Sequence, residues 1–106
     1  MTREAVVVLC TAPAEQAESL ARTVVDESLC ACVNIVPQVR SVFRWQGAVD
    51  VVDEHLLVAK TTAAAADSLR DRLAQLHPYE VPEVLVLPVS AGLPAYLRWV
   101  ADSVRD

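Results

Sequence analysis

Residues 32–62, CVNIVPQVRSVFRWQGAVDVVDEHLLVAKTT, decide the fold. Cys32 to Trp45 reads as one long strand, bent at Pro37. Beyond the bend, Val39, Ser41, Phe43 and Trp45 point to one side and Arg40, Val42, Arg44 and Gln46 to the other, because side chains alternate along a strand. Gln46-Gly47 supplies a turn, and Val49 to Thr62 returns as a second long strand, so the stretch forms a hairpin.

The flanks complete the pattern. Ala5 to Cys10 is a continuous apolar run rich in Val, which predicts a first strand. Pro13 suits the first position of a helix, where its missing N–H costs little. Ala17, Leu20, Ala21, Val24, Val25 and Ser28 then recur at helical spacing, with Glu15 and Glu18 in the turns where the helix dipole favours negative charge. After the hairpin, the alanine run Ala63–Ala66 starts a second helix, since alanine has the best helix propensity. That helix carries Ala66, Leu69, Leu73 and Leu76 on one face and ends at His77-Pro78, because proline disfavours helix in the residue before it. Glu83 to Val89 is a fourth strand. Gly92-Leu93-Pro94 opens a last helix striped by Leu93, Leu97, Val100 and Val104. The order β-α-β-β-α-β plus a C-terminal helix defines an α+β, ferredoxin-like pattern. The first two strands run parallel, joined by a right-handed crossover.

The 106 residues make one domain, residues 1–106, at 54% hydrophobic and 22% charged. This is a globular composition. The net charge of −5 and the lack of a Lys/Arg cluster argue against a nucleic-acid partner, whose phosphates an acidic chain repels. The start, MTREAVVVLC, carries a charged pair and then only six apolar residues, too few for a signal core or a membrane span. A cytoplasmic protein with no membrane partner is the expectation. Its three cysteines are then reduced thiols.

The strands are apolar on both faces. In this topology both crossover helices pack on one face of the sheet, and the other face of a soluble sheet should alternate apolar with polar. Val6 to Leu9, Leu56 to Ala59 and Val84 to Leu87 do not alternate. The final helix covers part of the second face, and neighbouring subunits are expected to cover the rest. Leaving four such side chains exposed would forgo on the order of 6–12 kcal/mol. An obligate oligomer follows as the expectation.

Val8-Leu9-Cys10-Thr11-Ala12-Pro13, Ala31-Cys32-Val33-Asn34-Ile35-Val36-Pro37, Arg44-Trp45-Gln46-Gly47 and His77-Pro78-Tyr79-Glu80-Val81-Pro82-Glu83 stand in a distinctive order and spacing, followed by Tyr96 and Trp99. In these stretches the chain resembles the CutA family of divalent-cation tolerance proteins. The resemblance covers essentially the whole sequence, and the seven-residue HPYEVPE stretch is its most specific part. It implies a ferredoxin-like fold assembled as a homotrimer similar to the PII signalling proteins. It also implies binding of copper or another divalent cation and a link to metal tolerance. In the family's bacterial copper pattern the metal residues are the Cys of VLCTAP and two adjacent His before Pro-Tyr. Cys10 matches the first and His77 the second of the two His, while Leu76 stands at the position of the other.

Each candidate carries two readings. Cys10 ends a buried strand, as a small hydrophobe or as a soft metal ligand. His77 ends a helix, as a cap or as a ligand. Thiolate and imidazole together suit copper or zinc. Two ligands leave a site incomplete, so water, a neighbouring subunit or a small molecule would supply the rest. Cys30-x-Cys32 has the look of a metal pair, but a helix end followed by a strand start need not bring the two thiols together. Trp45 and Tyr79 are packing or interface aromatics, or they line an inter-subunit cleft whose polar groups are Lys60, Glu80 and Glu83. Arg40 and Arg44 share a strand face, solvated or facing an anion. A cysteine enzyme built on Cys10 and His77 lacks a nucleophile elbow, an oxyanion glycine loop and a group to orient the histidine. The expected function is therefore non-enzymatic: a trimeric protein that binds copper or related cations. The alternative is a PII-like sensor holding a small anionic or organic ligand in its inter-subunit clefts.

Overall fold

The structure, a computed structural model, describes residues 4–105; Met1, Thr2 and Arg3 of the charged start, and Asp106, lie outside the described residues. The elements follow in the expected order: β1 (Ala5–Ala12), α1 (Ala14–Asp26), β2 (Cys32–Trp45), β3 (Ala48–Thr62), α2 (Ala66–Leu76), β4 (Val84–Pro88) and α3 (Pro94–Ser103). The four strands form one sheet in the order β2-β3-β1-β4, with every neighbouring pair antiparallel. Since β1 and β2 both run against β3, they are parallel to each other with β3 between them. This is the βαββαβ arrangement read from the sequence.

One face of the sheet holds the main core. Val6, Val8 and Cys10 of β1 and Leu57 and Ala59 of β3 pack against Ala17, Leu20 and Val24 of α1 and Ala66, Leu69 and Leu73 of α2. The α1 stripe is narrower than its sequence periodicity. Val25 is exposed, and Ser28 lies beyond the helix at φ 62°, where the chain turns toward β2. Helix α2 starts three residues later than alanine propensity predicts. The Ala63 N–H donates to the Glu4 carbonyl at 2.8 Å, and the Ala65 N–H donates to the Thr62 carbonyl at 3.1 Å. Pairing with the start of the sheet thus holds Ala63–Ala65 in a turn, and tertiary contact overrides the local preference. β4 is one residue shorter at each end than expected. Leu93 precedes α3 and is exposed, leaving Val100 and Val104 as the buried part of that helix's stripe, with Pro94 in its first turn.

The hairpin does more than span the sheet. β1 pairs with β3 only from His55 to Thr62, so residues 48–54 of β3 pair with 39–45 of β2 alone. These residues project as a two-stranded arm, about 20 Å of ribbon, and the molecule measures 43 × 25 × 22 Å. Its tip is a two-residue turn with φ 50° at Gln46 and 83° at Gly47. Positive φ at both positions is what the tightest hairpin turn requires, and glycine meets it without strain. At the arm's base the register shifts between Val36 and Val39. Pro37 and Gln38 oppose His55 alone, and Gln38 takes φ 61°. Proline has no N–H to offer a ladder, so the bend falls where pairing is interrupted.

The second face of the sheet carries Val36, Leu56, Val58, Leu9, Val7, Leu85 and Leu87, as the cross-strand partners show. In one subunit it is covered only in part. α3 lies against β1 and β3, where Val100 and Val104 pack with Ala65 and Ala31. Leu85 and Leu87 remain 54% and 41% exposed. Among the described residues, no helix is long and apolar enough to cross a membrane.

Candidate functional site

The end of the sheet where β1 finishes gathers parts from four elements. β1 delivers Cys10, Thr11 and Ala12, and the β1–β3 register sets Ala12 opposite His55 at the base of the arm. α2 ends here because Pro78 forces an extended conformation on His77, at φ −74° and ψ 142°. The His77 N–H still donates to the Leu73 carbonyl at 2.9 Å, which fixes the residue to the helix end. β4 then begins at Val84, the register partner of Cys10, so Glu83, the residue before it, stands exposed at this end of the sheet.

His77 is buried, and both of its ring nitrogens are engaged. Nδ1 accepts the Tyr79 backbone N–H at 3.1 Å, so Nε2 carries the ring proton and donates it to the Thr11 carbonyl at 2.7 Å. His77 thus caps α2 through its backbone N–H, while its ring bonds the end of β1. Tyr79 packs against the imidazole at a tilt, with ring centroids 4.7 Å apart and an interplanar angle of 51°. Its hydroxyl donates to Glu54 Oε2 at 2.7 Å. Burial, followed by the bond to the Glu54 carboxylate, pushes the Tyr79 phenol up to about 12.

Cys10 is 1% exposed. Burial, then the negative charges of Glu83 and Glu54, push its thiol up to about 12. Cys30 is raised equally, first by burial and then by Cys32. Burial thus favours the protonated form of both thiols near neutrality, which slows their alkylation. Alkylation by iodoacetamide at pH 8 is expected to spare Cys10 and Cys30 in the native protein and to reach them after denaturation. Mass spectrometry of the digested protein checks this, and rapid native labelling of either would contradict it. The sign of the accompanying linkage is definite. Each thiol's folded value lies above the ordinary cysteine value of about 9. The native state thus binds more protons than the unfolded chain between about pH 9 and pH 12, and stability falls as pH rises through that window.

The site contains Cys10, His77, Tyr79 and Glu83 of the residues singled out from the sequence; Glu80 is exposed in the turn that follows Tyr79. Two of the proposed cleft residues lie elsewhere in the subunit. Trp45 is at the arm tip, 42% exposed. Lys60 is far down β3, opposite Val7 and Cys32, where its ammonium donates to Asn34 Oδ1 and stands 3.7 Å from Cys32 Sγ. Cys30 belongs to the main core, whereas Cys32 is only partly buried and sits by Lys60 on the other face. Arg40 pairs with Asp53 at 3.2 Å across the arm, both well exposed. Glu54 is the residue sequence reading missed. It is 4% exposed, and its partner Tyr79 is 25 residues away. Among the described residues, no group of three or more His, Cys, Asp or Glu is arranged to hold a metal ion. Cys10 and His77 have the donor chemistry for a soft cation, but neither is free in this closed arrangement.

Fold and site together define a small α+β protein of the PII-like type, with a thiol, an imidazole and two carboxylates at one end of its sheet. Comparison with known proteins takes this further. The sequence profile of the CutA1 divalent ion tolerance proteins matches residues 6–103, and the chain belongs to this family. It is 47% identical to the divalent-cation tolerance protein CutA of Thermus thermophilus, over 92% of this chain and 95% of that one. The crystal structure of CutA1 from Oryza sativa superposes with a TM-score of 0.95 at 40% identity, covering 99% and 97% of the two chains. The PII-like protein CutA from Nostoc superposes with a TM-score of 0.89 at 34% identity, covering 99% and 98%. The plant and animal relatives are longer: the chain spans 51–60% of their length.

Proposed function

We propose that the protein is a non-enzymatic homotrimer that binds copper, or another soft divalent cation, as part of a cellular response to metal ions. The observation that carries this reading is geometric: His77, whose Nε2 bonds the Thr11 carbonyl at 2.7 Å, stands at the end of the strand that delivers Cys10. A thiol sulfur and an imidazole nitrogen are donors that select soft cations. Cys10 and His77 would hold the ion, and solvent or a neighbouring subunit would complete its shell. The ion would supply charge and coordination only. The chain's own part is to give up the Cys10 proton and to free one nitrogen of His77. Because a proton leaves the thiol, affinity rises with pH. We place the protein in the cytoplasm, where its three thiols stay reduced.

The experiment is a titration with copper and with redox-inert zinc. Cys10→Ala and His77→Ala are each expected to weaken binding by at least an order of magnitude, as removal of a direct ligand should exceed the 10–100-fold cost of losing an outer-shell partner. Unchanged binding in both variants would reject this site. It would favour a second reading, a PII-like sensor whose inter-subunit clefts bring Trp45 or Lys60 of one subunit to Tyr79, Glu80 and Glu83 of another. The exposure of Trp45 on the projecting arm supports that reading, and stabilisation by an organic anion in a thermal-shift screen would test it.

A further inference from the structure

The end of the sheet contains three hydrogen bonds linked through the side chains of His77 and Tyr79. The Thr11 carbonyl accepts from His77 Nε2, His77 Nδ1 accepts from the Tyr79 N–H, and the Tyr79 hydroxyl donates to Glu54. The bonds run from the end of β1 to the base of the arm, since Glu54 is the β3 residue that pairs with Val39 just past the register shift. Glu54 is 4% exposed, and a carboxyl group so buried depends on its partners. Tyr79 is anchored at both ends, by its N–H on the imidazole and by its hydroxyl on Glu54. A ligand that takes His77 Nδ1 must displace the Tyr79 N–H. The bond to Glu54 opposes that displacement.

We infer that the Glu54–Tyr79 bond is a clasp: it holds His77 closed and couples release of the imidazole to the position of the arm. The inference rests on the proposed role of His77 as a cation donor and adds Glu54 and Tyr79 to that site as positioning residues. The site then has two states. In the closed state both ring nitrogens are bonded and the arm base is tied down. In the open state one nitrogen is free and Tyr79 has left Glu54. Apparent affinity for a cation equals the intrinsic affinity reduced by the fraction of molecules in the open state. Coupling is reciprocal, so whatever loosens the arm base favours the cation, and occupation of His77 loosens the arm base.

The test combines amide hydrogen exchange of the metal-free protein with titration by copper(I) from a competing chelator. Tyr79→Phe keeps the ring and the backbone N–H but removes the hydroxyl. Exchange is expected to quicken in two separate segments together, residues 77–80 and residues 52–55, and copper affinity to rise on the order of tenfold. Glu54→Ala should behave alike. Glu54→Gln retains an acceptor for the phenol and should restore both readouts toward the parent protein. Unchanged exchange in Tyr79→Phe, or quickening confined to one segment, would overturn the clasp. So would unchanged copper affinity in a protein whose binding depends on Cys10 and His77. A parent protein that binds no copper would refute the cation reading instead, and the metal-free exchange would still decide the clasp.

Discussion

Leu85→Asp is expected to leave the protein monomeric. Leu85 lies on the second face of the sheet beside Leu9, and a single subunit leaves it 54% exposed. Leu87 and Val36 are 41% and 43% exposed on the same face, and the adjoining Val7, Leu9, Leu56 and Val58 are only partly covered. Burying a leucine is worth about 1.5–3 kcal/mol. An assembly that closes this face repeats that gain in each subunit. An aspartate there forfeits it and adds the larger cost of removing a charge from water. Sedimentation equilibrium gives the readout. The parent protein should have three times the 11.5 kDa chain mass and the variant one. Arg22→Ala, on an exposed helix surface where Arg22 pairs with Glu18, should assemble normally. A parent protein that is monomeric at micromolar concentration, or a Leu85→Asp variant of unchanged mass, would defeat the argument.

The same apolar runs explain how much of the fold could be read in advance. Unbroken stretches such as Val6–Leu9 demand cover on two sides, and punctuation by Pro13, Gly47 and Pro78 orders the elements between them. Local propensity failed at Ala63–Ala65, where a bond to Glu4 outweighs the helix preference of alanine. The site was half legible. Chain direction alone brings Cys10 and His77 to one end of the sheet. The same reasoning sends β3 away from that end, so Lys60 had to lie apart from Tyr79 in one subunit. Trp45 is displaced by the length of the arm, which depends on where pairing with β1 stops. Glu54 gave no signal. It follows Asp50 and Asp53 in a stretch that reads as solvated. Its burial arises from a tyrosine 25 residues later, at an arm base shaped by the irregularity at Pro37 and Gln38.

Leu69→Ala is expected to remove about 3–4 kcal/mol of stability. Leu69 is 0% exposed, the largest of the fully buried side chains, and sits in the α2 stripe with Leu73 in the main core. The cost combines lost transfer free energy with the cavity that remains, and the cavity term grows when the surroundings cannot collapse. Here they are held firmly. Val8 and Cys10 are fixed in the central strand β1, paired on both sides, and α1 is braced against α2 by two Arg72–Glu27 bonds of 2.9 and 2.8 Å. Leu93→Ala is the contrast. That side chain is 70% exposed, and its loss should change stability by no more than about 0.5 kcal/mol. Denaturant unfolding must compare the variants at one protomer concentration, because association adds to apparent stability by mass action. Equal losses in the two variants would mean that α2 is not seated on the sheet as described. The effect also reaches the site. His77 hangs from the last turn of α2 by its bond to Leu73, so the packing that Leu69 provides is what carries the imidazole to the end of β1.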